Sequence, residues 1–282
     1  MDSGVGSGFK QRIGNFGVWL PGKMITPEIA SEIEDLGFGA IWIGGSTPGD
    51  LTAVRPLIAA TTSIGIVTAV INIWKSPASE VASAFFELPE EDRQRVLLGF
   101  GPGHAERAGH VATRPYSSLF TYFDELDSYG VPTASRIVGA LGPRLLQLGA
   151  ARAAGVHTFL STPKHTREVR ELLGPIPLVV PEQTVMFAPD KIAASSMSRD
   201  FLASYLTLSN FRNHFLRLGF SEPELDGGAS DTLVKAIVAR DGADSARLHL
   251  AAGADHVALQ IVATSQAAVM EGYRQLAKSL NL

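Results

Sequence analysis

Short apolar runs bounded by glycine or proline are each followed by a segment with helical spacing, and the pair recurs eight times between Asn15 and Leu280. No other feature constrains the fold so tightly. A strand followed by a helix and then by another such strand belongs to a parallel sheet, because the helix is the crossover. Runs without polar alternation, such as Val96-Leu97-Leu98 and Leu178-Val179-Val180, belong to strands covered on both faces. Eight such units within 282 residues predict a closed (β/α)8 TIM barrel. An open, doubly wound sheet would place a glycine-rich phosphate fingerprint directly after its first strand. Here the first strand leads into Pro21-Gly22-Lys23 instead.

Strands are expected over 15–20, 40–43, 64–73, 95–100, 136–141, 156–160, from 177, and over 255–262. Helices are expected over 27–36, 50–60, 77–88, 115–129, 143–154, 164–173, 231–238, 243–252 and 266–280. Thr26-Pro27-Glu28 is an N-cap followed by a first-turn proline, and Gly37 stops that helix. Residues 190–218 are largely helical and read as a helical insertion near strand seven. Residues 1–12, rich in glycine and serine, are expected to form a loose lead-in. No linker or repeat of short period divides the chain, so 1–282 is taken as one domain.

Bulk properties narrow the function. The net charge of −4 comes without a basic block or an acidic tail, which argues against nucleic acid and anionic membrane as partners. The chain has no cysteine, so disulfides, Cys-ligated metals and thiol nucleophiles are excluded. No apolar run reaches membrane-spanning length, and a cytoplasmic protein is expected.

Gln94 to His104 carries the strongest local signal. An apolar strand runs into Gly99-Phe100-Gly101-Pro102-Gly103 and ends on His104. In a parallel barrel the loop after each strand lies on the functional face. Glycines there allow tight turning and close approach of backbone to a ligand.

Several blocks together resemble the bacterial-luciferase-like oxidoreductases, in the branch that uses the deazaflavin F420. They are Leu36 to Ser46, Val70-Ile71-Asn72-Ile73-Trp74 with Ser76-Pro77-Ala78, Val96 to His104, and Ala140-Leu141-Gly142-Pro143-Arg144. Leu173-Gly174-Pro175 with Pro181-Glu182-Gln183, and Leu216-Arg217-Leu218-Gly219-Phe220, resemble a subgroup. The resemblance implies a two-electron oxidoreductase acting on a small organic substrate, with F420 as cofactor or FMN as the alternative. It also implies a homodimer formed through the first three helices. Val81, Ala82, Ala84, Phe85 and Phe86 make an apolar stripe wider than one core face needs. The resemblance further places a non-proline cis peptide bond, against which the ring rests, at Val67-Thr68-Ala69, give or take one residue. Two departures stand out: Arg93-Gln94-Arg95 replaces the usual Pro-Gly-Arg entry to strand four, and Pro102 removes one backbone donor from the loop.

With that chemistry in view, individual residues acquire candidate roles. His104 and Glu182 are the candidate proton-transfer groups: an imidazole titrates near neutrality, and a carboxyl at the mouth of an apolar strand can be raised toward it. Trp42 and Trp74 are candidate walls of the ring pocket, and Gly44, Gly45 and Ser46 offer room and hydrogen bonds. Gly101, Pro102 and Gly103 form the lip. Leu141-Gly142 presents free amides at a helix start, suited to a phosphate, and Ser161-Thr162 adds hydroxyls; helix caps would use the same residues. A metal hydrolase would need several His and carboxylates at strand ends, and a Schiff-base enzyme a lysine at a strand end. The sequence offers only His104, Glu182 and Asp50 for the first, with no His-x-His pair, and only Lys164 for the second, on a polar helix start that capping explains better; no metal site is expected. The remaining alternative is a cofactor-poor barrel with a binding or structural role.

Overall fold

The computed structural model describes residues 5–104 and 114–282. One parallel sheet contains β1 (Phe16–Pro21), β2 (Ala40–Thr47), β3 (Gly65–Asn72), β4 (Val96–Gly101), β5 (Arg136–Gly139), β6 (Gly155–Thr158), β7 (Leu178–Met186), β8 (Val238–Ala239) and β9 (Val257–Val262). Each of the first seven strands pairs with the next. The first half of β7 pairs with β6, from Gly155↔Leu178 to Thr158↔Pro181. Its second half pairs with β9, from Glu182↔Ala258 to Met186↔Val262, and β9 returns to β1 through Phe16↔Val257. Eight strands therefore close into the (β/α)8 barrel that the alternation predicted. The two-residue β8 covers the edge of β7 that extends beyond β6, through Thr184↔Val238.

The helices are α1 (Val5–Ile13), α2 (Pro27–Asp35), α3 (Arg55–Ala59), α4 (Ala78–Phe86), α5 (Glu90–Arg93), α6 (Pro115–Ser128), α7 (Pro143–Arg152), α8 (Pro163–Leu173), α9 (Lys191–Leu206), α10 (Ser209–Arg217), α11 (Glu222–Leu225), α12 (Asp231–Ile237), α13 (Gly242–Ala251) and α14 (Gln266–Leu280). The cap written as Thr26-Pro27 forms as expected: the Ile29 amide donates to Thr26 Oγ1. α9 and α10 make the inserted hairpin, and α11 and α12 extend it. Leu202, Phe211, Phe215 and Leu233 form its own core, which meets the barrel at Leu160 and Met186. The insertion thus sits over the carboxyl ends of β6 and β7.

Three expectations need correction. From Val5 the expected lead-in is a helix, residues 1–4 lying outside the described residues: α1 buries Phe9 and Ile13 against Ala40, Val67 and Leu97 inside the barrel. A Cβ at Gly39 would lie 1.8 Å from the Ile13 carbonyl oxygen, and one at Gly65 would lie 2.8 Å from the Ile13 side chain. Those glycines are where the plug meets the barrel wall. The second expected helix, over 50–60, shrinks to α3, because Thr52 bonds Asp50 in a turn and Leu51 takes a positive φ of 56°. The apolar stripe of α4 is consumed within the molecule. Val81, Ala82, Ala84 and Phe85 are buried in the barrel core, and Phe86 alone is exposed. The width of that stripe therefore has an intramolecular cause.

Candidate active site

The carboxyl ends of the strands define the mouth. There the ladder breaks twice, between Gly44 and Thr47 on β2 and between Val67 and Ile71 on β3. The second break holds a non-proline cis peptide bond between Ala69 and Val70, one residue past the segment named from the sequence. Thr68 spans it by accepting from the Gly99 amide at 2.7 Å and donating to the Gly99 carbonyl at 3.2 Å. Thr68 is therefore fixed between β3 and β4, and Val67 is buried in the barrel interior. Beyond the break, the side chain of Val70 lies over β4 and β5. Cβ atoms at Gly101 and Gly139 would come within 2.9 and 3.0 Å of it.

The loop after β4 is tightly specified. Gly103 has φ +63°, and a Cβ there would meet Asn72 Nδ2 at 2.4 Å. Asn72 accepts from the Trp74 amide, and the Trp74 indole N–H donates to the Pro102 carbonyl at 2.6 Å. Trp74 thereby braces the lip from outside the barrel, where it lines a cavity of about 360 Å³ with Ile73 and residues of α6. His104 ends the described part of this loop. Its Nδ1 is 3.1 Å from Asn210 Oδ1, and its ring packs on Phe211 at 5.6 Å.

Glu182 points into the barrel from β7 and is 1% exposed. Thr184 donates to one carboxyl oxygen at 2.5 Å, and the Leu160 amide donates to the other at 3.2 Å. Burial raises its pKa to about 7, against the lowering effect of those two donors. Above it lie aromatic rings. Phe159 contacts Trp19, Tyr205 and Phe211 at 5.2, 5.5 and 6.0 Å between centroids. Trp19 lies flat against β2, so that a Cβ at Gly44 would come within 2.3 Å of the indole. Two buried polar atoms in the barrel, Trp19 Nε1 and Gln260 Oε1, have no hydrogen-bond partner among the described residues. His104 and Glu182 are thus brought to one end of the barrel, with Phe159 and Phe211 between them.

A third corner forms around Gly142. It N-caps α7 with extended backbone and no side-chain cap, with Pro143 in the first turn. The space beside it is open as far as the Arg217 guanidinium, 3.8 Å from where a Cβ would stand. Ser161 is buried nearby, with its hydroxyl 3.5 Å from His214 Nε2. Burial and the neighbouring Arg217 lower the pKa of His165 to about 4, so Arg217 supplies the positive charge of this corner. Thr162 takes the simpler role, capping α8 through the His165 amide. Gly45 and Ser46 are exposed at the end of β2, and Leu141 packs on the insertion.

Trp42 is a core residue and not a wall of the mouth. It is completely buried, stacks on His157 at 4.6 Å, and donates to His256 Nε2 at 3.1 Å. It stands third in β2, opposite Trp19 of β1 in register, and its ring is enclosed by His157 and His256. Several residues that complete the mouth were not singled out as site residues from the sequence: Trp19, Phe159, Asn210, Phe211, Gln260 and Arg217, the last lying in the block Leu216 to Phe220. The insertion contributes three of them from one helix, α10. Among the described residues no group of three or more His, Asp or Glu side chains converges as metal ligands would.

The architecture is a (β/α)8 barrel with a helical insertion over the carboxyl ends of β6 and β7. No family model matches the sequence, and no curated protein matches it. Solved structures match it along almost its whole length. An F420-dependent secondary alcohol dehydrogenase in complex with an F420–acetone adduct has a TM-score of 0.67 at 12% identity, covering 95% of this chain and 99% of that one. The coenzyme F420-dependent tetrahydromethanopterin reductase from Methanopyrus kandleri has a TM-score of 0.65 at 14% identity, covering 95% and 98%. The oxygenating constituent of 3,6-diketocamphane monooxygenase from Pseudomonas putida, in complex with FMN, has a TM-score of 0.60 at 13% identity, covering 94% and 96%. At these identities the likeness is one of fold.

Proposed function

We propose that the chain is an oxidoreductase that binds F420 at the carboxyl end of its barrel and passes a hydride between it and a small organic substrate. The observation that carries this reading is the combination found at one end of the barrel: a carboxyl titrating near neutrality, Glu182, and an open, cationic helix start at Gly142 beside Arg217. The residues fit such a group. The Gly142 corner suits a phosphate, since amide N–H groups and a guanidinium converge there. The unpartnered Trp19 N–H and Gln260 carbonyl suit the donor and acceptor edge of a heterocycle, and Trp19 and Phe159 offer it flat faces. When bound, the deazaflavin would supply or accept the hydride.

The protein's own part is proton transfer and exclusion of water. Reduction of a carbonyl by hydride requires a proton at the substrate oxygen, and Glu182 holds one near pH 7 inside an apolar shell. His104 is the second candidate at the opposite side of the aromatic group. F420 is placed before FMN because the blocks Leu36 to Ser46, Val96 to His104 and Ala140 to Arg144 resemble the F420-using branch.

Titration with F420 and with FMN, followed by tryptophan fluorescence, tests the reading. Trp19 meets Phe159 in the mouth and Trp74 braces the lip, so F420 should quench the wild type and quench Trp19→Phe less. Gly103→Val should weaken binding about tenfold, or 1.4 kcal/mol, by disturbing the lip at Asn72. Quenching by FMN alone would favour a flavin monooxygenase. Binding of neither would overturn the reading in favour of a binding or structural role.

A further inference from the structure

We propose that His214, on the inserted helix α10, is a positioning residue for Glu182: it holds the Leu160 peptide in the turn that aims the Leu160 amide at the carboxyl. The proposal rests on the reading of Glu182 as a proton-transfer group.

Leu160 touches both groups. Its amide donates to Glu182 Oε2 at 3.2 Å, and its carbonyl oxygen lies 3.2 Å from His214 Nε2. A carbonyl oxygen can only accept a hydrogen bond, so Nε2 of His214 carries the proton and donates it. Nδ1 of the same ring is buried and has no partner among the described residues, as suits a nitrogen without a proton. The Ser161 hydroxyl, at 3.5 Å, is the longer contact of Nε2. Burial and the neighbouring His165 and Arg217 lower the pKa of His214 to about 3, so the ring stays neutral. On the Glu182 side the ionisable neighbour is Tyr273 of α14, whose hydroxyl burial keeps protonated.

The backbone of Leu160 needs such a hold. Its φ is +52°, in the left-handed region that a bulky side chain rarely occupies. A residue stays there only where its surroundings impose it. Three contacts do so. The side chain, 1% exposed, belongs to the apolar core of the insertion together with Leu202 and Phe215. His214 takes the carbonyl, and Glu182 takes the amide. In the right-handed or extended region the same amide would point elsewhere, and the carboxyl would keep only its Thr184 donor. Consecutive residues of α10 thus serve the two halves of Leu160: His214 its backbone, and Phe215 the core that receives its side chain. The carbonyl contact joins segments 54 residues apart, so it exists only when the insertion is docked on the barrel.

The test follows Glu182 in the full chain by nuclear magnetic resonance, with 13C at the glutamate carboxyl groups and 15N at the amides, from alkaline pH down to the onset of acid unfolding. Glu182→Gln assigns the carboxyl signal. In the wild type the carboxyl should titrate with a midpoint of about 7, and the Leu160 amide should shift with the same midpoint. Two-bond 1H–15N correlations at alkaline pH should show His214 protonated on Nε2. In His214→Leu the Leu160 amide should no longer follow Glu182. The Glu182 midpoint should rise by about one pH unit, because a donor that favours the charged form is lost. His214→Gln, whose side-chain N–H reaches the place of Nε2, should restore both. His214→Asn, polar but too short for that reach, should act as His214→Leu does and replaces it if the leucine variant does not fold. A wild-type Leu160 amide that ignores the Glu182 titration would overturn the proposal without any variant, and so would a His214 protonated on Nδ1. A Glu182 midpoint unmoved in a folded His214→Leu or His214→Asn would overturn it as well. Once a substrate is in hand, the limb of the pH profile of kcat set by Glu182 should move up by the same unit in His214→Leu and return in His214→Gln. Absence of F420 and FMN binding would remove the function proposed above and leave the coupling of Glu182 to His214 standing, so the two readings fail separately.

Discussion

A carboxyl enclosed in a barrel is cheapest to keep protonated, and Glu182 has a pKa near 7 for that reason. Its folded value lies above its ordinary value of 4.5, so the sign follows. Below pH 4.5 both states hold the proton and the contribution is complete; between 4.5 and 7 only the folded state holds it, and stability is lost as pH rises. Glu182→Gln removes the titration. Its stability relative to wild type should therefore grow from pH 4.5 to 7 and then level off, by an amount on the order of 3 kcal/mol. Urea unfolding at half-unit pH steps checks this, and a constant difference across the range would refute it. Glu182 could be picked out in the sequence because it follows an unbroken apolar run. Trp42 was misread because the same unbroken runs hide depth. With apolar residues on both faces of a strand, nothing in Ala40-Ile41-Trp42-Ile43 tells which residue reaches the rim. Trp19, its register partner on β1, meets Phe159, while Trp42 turns to His157 and His256.

Strands and helices that bury one clear face were legible to within a few residues, and α14 ends where its apolar spacing ends. Two elements were not legible. β8 is two residues long and exists only because β7 outruns β6, a fact of tertiary geometry. α1 was obscured by its glycines and serines, and its apolar signal is the series Val5, Phe9 and Ile13, four residues apart. Phe9 and Ile13 close the amino-terminal end of the barrel. Ile13→Ala should cost about 2–5 kcal/mol, as for other buried large-to-small changes. Gly39→Ala should be at least as damaging, because its Cβ meets backbone and not a movable side chain. Thermal unfolding of the two variants measures both, and a Tm within a degree of wild type would show that α1 contributes no packing.

Among the described residues five histidines are enclosed, and burial keeps each of them neutral: His157, His165, His249 and His256 have pKa values lowered to about 4, and His214 to about 3. These values lie below the ordinary 6.5, so the unfolded chain takes up the protons first. Stability is complete above pH 6.5 and falls as the pH drops toward 4, by about 1.4 kcal/mol per pH unit for each histidine. Glu182 opposes one of the five across most of this window. The whole protein should unfold in mild acid, well before Glu34, whose pKa three backbone amides help bring down to about 2, begins to contribute. Circular dichroism between pH 7 and 4 is the measurement, and a stability unchanged at pH 5 would contradict it. The barrel as a whole was legible because eight crossovers demand a parallel sheet; how its ends join was not. His256 bonds the Gly14 carbonyl, and β9 pairs with β1, across some 242 residues. During synthesis, then, the first strand has to wait for the last. Until residues beyond 257 leave the ribosome, β1 and β7 each present an unpaired edge to solvent or to a chaperone, and the nascent chain is a curved open sheet with two adhesive margins.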